Sequence, residues 1–377
     1  MPDIKLAIGL MSGTSMDGID ASLLRSDGDT VIDVIGHHSY TYSAAFRQQL
    51  KSALDMANQI KNRDDRPDQL RKIEVSLTDL HTTLVQQLLH KYAINSDSVD
   101  LIGFHGQTVL HKPENALTVQ IGDGQQLANQ TGIDVIYDMR ANDMTHGGQG
   151  APLVPVYHRA LANKLRGKAQ FPIAFVNIGG ISNLTWIGDD SSLYAFDCGP
   201  GNVLIDQWIS LRTSKQYDDG GEIALKGNVI DKIIQNYQMH PFFCQPTPGS
   251  LDWRSFNPLT DTTVSIEDGA ASLSYITAFG IVNSFRHVPQ TPKTLVLSGG
   301  GAHNKAIIKY IEKLTKTANS KLLNAQSIGA DPDFIESDAW GYLAIRSFYG
   351  LPLTYPTTTG CDKPVSGGKH VKPNNLQ

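Results

Sequence analysis

The feature that most constrains the fold is an order of segments that occurs twice. An apolar run at residues 4–10 and an alternating run at 19–24 flank a turn of small residues, and 31–36 reads as a third strand. Such patterning predicts strands paired as a meander. Residues 44–57 then follow helical spacing, and Leu70, Ile73, Leu77, Leu80, Leu84 and Leu88 recur every three or four positions, the stripe of a helix packed on a core. Short apolar runs at 100–104, 116–121 and 133–137 alternate with helical segments. Past the glycine-rich 146–152 the plan restarts, with strands predicted at 173–178, 181–187 and 192–196 and a helix at 203–211. The pair Ser265 and Asp268 opens a helix through 285, a strand is predicted at 294–297, and helices follow from 305 to about 317 and from 333 to 349. Residues 212–262 read as irregular, and the Pro- and Gly-rich tail as frayed at its end.

Strands alternating with helices imply an α/β architecture. At 377 residues the chain exceeds one comfortable core. Two domains are therefore expected: residues 1–140 with about 350–377, and residues 141–349. No letter-level repeat links the halves, so duplication rests on layout alone.

Three turns stand out by residue type. The first is Ser12, Gly13, Thr14, Ser15, Met16, Asp17, Gly18 and Ile19, with Asp20 after it. Its glycines are expected to take positive φ, and its hydroxyls and backbone N–H groups suit phosphate oxygens. Alone, it is equally an ordinary hairpin loop. The second, Asp197-Cys198-Gly199-Pro200-Gly201-Asn202, follows an apolar strand, and the third, Gly299-Gly300-Gly301, precedes a helix whose N-terminus favours an anion. Asp197 ends its strand, where α/β enzymes present side chains to a crevice. A turn or helix-cap aspartate fits the same position.

Composition removes several classes. A hydrophobic fraction of 40% and a charged fraction of 18% describe a globular chain, and a net charge of -5 without a basic tract argues against nucleic acid. No apolar stretch reaches membrane-spanning length. Three scattered cysteines and an N-terminus without signal-peptide layout suit a reducing cytoplasm.

Taken together, the three turns resemble the sugar kinase, Hsp70 and actin superfamily, in which two hairpin loops clasp the phosphates of ATP and a Gly-Gly loop supports the adenosine. The match is closer than that. Residues 9–20, His105-Gly106-Gln107-Thr108, Gln120-Ile121-Gly122-Asp123, the run from Gly147 to Leu153, and Asn177-Ile178-Gly179-Gly180-Ile181-Ser182-Asn183 resemble the anhydro-N-acetylmuramic acid kinase family, in order, along nearly the whole chain.

The resemblance implies a two-domain, ribonuclease H-like fold with an ATP cleft between domains, and an ATP- and Mg²⁺-dependent enzyme of peptidoglycan recycling. Such an enzyme opens the 1,6-anhydro bridge of anhydro-N-acetylmuramate with water and phosphorylates O6. It implies Asp197 as the base, Ser12 to Ile19, Gly199, Gly201 and Gly299 to Gly301 at the nucleotide, and His105, Gln107, Arg140 and Glu336 at the sugar. From the residues alone, Arg140 fits a carboxylate or an ion pair with Asp138 or Asp143 equally, and Glu336 fits a capping box. The wider superfamily places an aspartate just before Gly-Thr/Ser in the first loop. Met11 and Ser12 stand there in this chain, so no metal ligand is assigned. The sequence does not fix an oligomeric state, though related kinases often form homodimers. Two other functions remain open at this point: an ordinary hexose or acetate-type kinase, and an Hsp70- or actin-like nucleotide-switched binding protein.

Overall fold

A computed structural model describes residues 2–13, 15–249 and 251–374. The chain forms two compact units, residues 1–164 with 333–377, and residues 165–332. In chain order, unit 1 begins with Lys5–Met11 (β1), Gly18–Ser26 (β2), Ile32–Thr41 (β3), Ala44–Ala57 (α1) and Asp68–Lys91 (α2). Leu101–Phe104 (β4), Gln107–Lys112 (β5), Leu117–Ile121 (β6), Gly124–Thr131 (α3), Val135–Tyr137 (β7), Ala141–Thr145 (α4) and Pro155–Lys164 (α5) follow. Unit 2 contains Ile173–Ile178 (β8), Ile181–Ile187 (β9), Leu193–Pro200 (β10), Val203–Arg212 (α6), Asp231–Gln238 (α7), Pro241–Cys244 (α8) and Ile266–Asn283 (α9). It closes with Thr294–Ser298 (β11), Lys305–Thr315 (α10) and Lys321–Asn324 (β12). The chain then returns to unit 1 as Ile335–Phe348 (α11), Pro356–Thr359 (α12) and Lys369–Val371 (β13).

The two sheets share one plan. In unit 2 the order is β10-β9-β8-β11-β12, with an antiparallel meander through β8 and parallel pairs beyond it. In unit 1 it is β3-β2-β1-β4-β7, built the same way, with β13 added antiparallel to β7. The expected α/β class and the duplication inferred from layout are both borne out by this topology.

Local signals fare well. α1 spans the predicted residues, and the α2 stripe packs inward, with Leu70, Ile73, Leu77, Leu84 and Leu88 buried. Ser265 caps α9 by accepting from Asp268 N at 3.0 Å. Three expectations are corrected. The boundaries fall after 164 and 332, not 140 and 349, because α11 packs on the first sheet: a Cβ on Gly9 of β1 would run into the backbone of Ser337 and Gly341. The 212–262 stretch contains α7 and α8. Among the first turn's described residues, neither Gly13 nor Gly18 has positive φ; Met16 does, at 54°. Glycine at 18 instead admits the Tyr40 carbonyl of the neighbouring strand, which a Cβ would displace.

Candidate active site

The described part of the first turn is held by side chains from the end of β4. Pairing of β1 and β2 runs out to Met11 opposite Asp20, leaving residues 12–17 as the loop. Ser12 Oγ donates to the Gly106 carbonyl at 2.7 Å, and Gln107 Nε2 donates to the Gly13 carbonyl at 3.0 Å. His105 Nδ1 lies 3.1 Å from the Ser12 carbonyl, which can only accept, so the proton sits on Nδ1. Nε2 is then free to accept from Arg140 Nη2 at 3.1 Å. Burial first, and the Arg140 charge second, hold the His105 pKa well below its ordinary value, as a neutral ring requires. Thus His105 and Gln107, expected at the sugar, brace the loop: both imidazole nitrogens are engaged, and Gln107 is fully buried. Ser15 Oγ donates to Asp17 Oδ1 at 2.7 Å. Thr14 lies outside the described residues.

Arg140 is the cation of this network, and its charge acts on Glu336 without an ion pair between the two. Its Nη1 donates to the Gly150 carbonyl at 2.9 Å, and its guanidinium lies over the Trp340 ring at 5.6 Å. Its Nε is buried without a partner among the described residues, and it forms no ion pair with Asp138 or Asp143. Asp138 pairs with Arg63 and Lys369 instead. Burial lowers the Arg140 pKa to about 10, while Glu336 and Asp143 pull it upward, so the cation persists at neutral pH. Glu336 is not a capping residue: Phe334 holds the cap position and no side chain caps the helix. Crowding by protein atoms raises the Glu336 pKa, Arg140 opposes the rise and Asp20 adds to it. The side chain remains exposed to solvent.

Asp20 is a member of this cluster that sequence reasoning passed over. Burial raises its pKa, and Asp17 and Asp333 push the same way. Asp17 and Asp20 flank the start of β2, and carboxylate oxygens are the kind of donor Mg²⁺ takes together with phosphate oxygens and water. Among the described residues no group of three His, Cys, Asp or Glu side chains could hold a metal ion on its own.

Unit 2 gathers the other two turns. Asp197 sits in β10 just before a bulge, where the register against β9 shifts between Asp197 and Gly199. Its Oδ2 accepts from Leu251 N at 2.7 Å. No cation pairs with it among the described residues, and burial pushes its pKa up to about 6 against the Leu251 amide. The helix-cap alternative is excluded, because Asn202 holds the cap position of α6. Gly299, at φ 77°, admits the Asn177 side chain and the Ile178 carbonyl, and a Cβ on Gly301 would press on Ile178 and Asn202. The second and third turns therefore touch through Asn202. The glycines lead into a short 3-10 turn, and Asn304 Oδ1 caps α10 on Ala306 N and Ile307 N, so that helix terminus is not open as first expected. Beside these turns lies a recess of about 490 Å³ lined by Asn202, Asp206, Asp218, Gly300, His303 and Asn304. Asp218 is committed to the Ile223 and Ala224 amides. Burial, and then Asp218, raise the Asp206 pKa to about 6.

A family model described as anhydro-N-acetylmuramic acid kinase matches residues 5–372. The chain belongs to the anhydro-N-acetylmuramic acid kinase family. A Brucella canis protein of that name is 50% identical over 373 residues, covering 99% of this chain and all of its own. Proteins of the same name from Rhizobium johnstonii and Agrobacterium fabrum are each 48% identical over 99% of this chain and all of their own. Among solved structures, Acidaminococcus fermentans (R)-2-hydroxyglutaryl-CoA dehydratase component A aligns over 91% of this chain and 98% of its own at 10% identity and a TM-score of 0.47, too loose to bear on function. Membership makes the chain a kinase of amino-sugar metabolism that uses ATP and a small sugar substrate in peptidoglycan recycling. Among the described residues, no helix is long and apolar enough to cross a membrane.

Proposed function

We propose that the protein couples hydrolysis of the 1,6-anhydro bridge of anhydro-N-acetylmuramate to phosphorylation of O6, with Asp197 as the general base. The observation that carries this reading is the Asp197 carboxylate itself. It is partly buried, accepts from the Leu251 amide at 2.7 Å, is unpaired with any described cation, and is raised to about 6. A carboxylate so tuned is ionised at neutral pH yet basic enough to take a proton from water. Water attacks the anomeric carbon from the face opposite O6 and its proton passes to Asp197. The bond from the anomeric carbon to O6 breaks as O6 takes the γ-phosphoryl group of ATP, and ADP leaves. Capture of O6 by phosphorus replaces the general acid that an ordinary glycosidase supplies, so one carboxylate suffices and the configuration inverts.

The remaining residues position. The Ser12 to Ile19 turn, Gly199 and Gly201 lie along the phosphates, and Gly299 to Gly301 with the Asp206 recess take the adenosine, where a carboxylate can accept from ribose hydroxyls. Arg140 and Glu336 meet the sugar near O6, with His105 and Gln107 keeping the first turn in place. Asp17 and Asp20 would hold Mg²⁺, which when bound neutralises phosphate charge.

Turnover of anhydro-N-acetylmuramate with ATP in ¹⁸O-water tests the reading. The label is expected on the anomeric oxygen and absent from the transferred phosphate. Phosphorylation of an intact hexose without label at the anomeric carbon would instead make the chain an ordinary sugar kinase.

A further inference from the structure

The first turn of α11 is gripped on both sides of Glu336 by one residue of β3. His37 stacks on Phe334 with ring centroids 4.2 Å apart and planes 9° from parallel. Its Nε2 also donates to Asp338 Oδ1 at 3.0 Å. Asp338 is only 1% exposed, and its other oxygen accepts from Tyr157 OH at 3.2 Å. Residues 334 and 338 lie four apart, on one face of the helix, while residue 336 lies about 200° around the axis from 334 at roughly 100° per residue. A grip on the 334/338 face therefore fixes the direction of Glu336 without touching it. The next residue is held too, since Ser337 Oγ bonds Ser22 Oγ at 2.6 Å, and Ser22 is the β2 partner of His37.

His37 is itself anchored. Its N–H donates to Tyr92 OH at 3.0 Å and its carbonyl accepts from Lys91 Nζ at 2.9 Å, both at the C-terminal end of α2. On the opposite side of α11, Trp340 packs against the His105 ring at 4.7 Å and under Arg140. Glu336, four residues before Trp340, shares that side of the helix, where the Arg140 and Asp20 charges act on it.

We propose that His37 is a positioning residue for Glu336, setting the rotation of the first turn of α11 so that the carboxylate meets Arg140 and the sugar. The inference rests on the role given to Glu336 above. A double-mutant cycle separates the two. Steady-state rates with ATP and anhydro-N-acetylmuramate are measured for His37→Ala, Glu336→Gln and the pair, with thermal melts alongside. His37→Ala is expected to lower kcat about tenfold or more with little change in the KM for ATP, and to cost almost nothing further once Glu336 is Gln. Losses that multiply in the pair overturn the positioning role and leave the Glu336 assignment standing. A Glu336→Gln enzyme with unchanged kcat removes that assignment, and the positioning role with it. Should His37→Ala fail to fold, Phe334→Leu and Asp338→Asn release the grip from the helix side. Each is expected to show the same loss of kcat and the same insensitivity in the Glu336→Gln background, and multiplicative losses there again overturn it.

Discussion

The polar residues of the two units are held in opposite ways. In unit 1, Ser12, His105, Gln107, Arg140 and the Gly106, Gly13 and Gly150 carbonyls bond one another in a network that leaves Arg140 Nε and Gln107 Oε1 without a partner among the described residues. In unit 2, among the described residues, Asp197 receives one backbone hydrogen bond and no cation pairs with it. The contrast separates two tasks. A network of mutual hydrogen bonds fixes shape, because each buried partner left alone costs about 1–3 kcal/mol. A carboxylate with few partners keeps its basicity, because each hydrogen bond or cation it gained would stabilise the ion and lower its pKa.

The comparison can be broken most severely at Asp197. Asp197→Asn should lower kcat by about 10²–10⁴-fold while calorimetric binding of ATP and sugar persists. A near-normal rate would move the base elsewhere. The network should respond differently: Arg140→Ala leaves His105 Nε2 without a donor and Glu336 without its cation, and roughly a 10- to 100-fold loss of kcat/KM is expected, together with a lower urea midpoint. Gln107→Ala or Ser12→Ala should act chiefly on stability, by about 1–3 kcal/mol in urea melts, since a loop carbonyl loses its donor. An equal effect on kcat with no effect on stability would instead place these side chains at the sugar.

Two pH measurements refine the unit 2 side. The base must be ionised, so kcat/KM should fall about tenfold per pH unit below about 6, and the limb should vanish from the residual rate of Asp197→Asn. Asp206 gives the smallest effect. Its folded pKa of about 6 stands above the ordinary 3.8, so its contribution to stability is fully present below 3.8 and is lost as pH rises through about 6. Asp206→Asn should therefore raise the melting temperature at pH 7.5 by a few degrees, leave it unchanged near pH 3.5, and raise the KM for ATP a few-fold.

Local pattern made much of this legible. The stripe from Leu70 to Leu88 and the capping of α9 by Ser265 depend on residues within a turn or two of one another. So does the placing of Asp197 near the end of an apolar strand, although the strand runs on through the bulge to Pro200. What escaped depends on partners distant in the chain. Glu336 reads as a capping carboxylate until α11 is seen packed on β1, which no local window contains. His105 and Gln107 read as free donors until the first turn's carbonyls arrive 93 and 94 residues away. Asp20 reads as part of an alternating strand, and nothing local singles out His37, for the same reason. Of the β5–β6 pair, the run at 116–121 predicts β6, whereas β5 escapes because His105-Gly106-Gln107-Thr108 reads as the end of the preceding strand.

The discontinuous make-up of unit 1 has a consequence for synthesis on the ribosome. Its sheet needs β13 and its buried face needs α11, and both are translated after the whole of unit 2. Unit 2 is a single uninterrupted stretch and can close as soon as residue 332 clears the exit tunnel. The first segment made is thus the last to be completed, and it waits with the inner face of β1 uncovered. Nascent chains stalled just before and just after α11 emerges should differ sharply in protease sensitivity within residues 1–164, and hardly at all within 165–332.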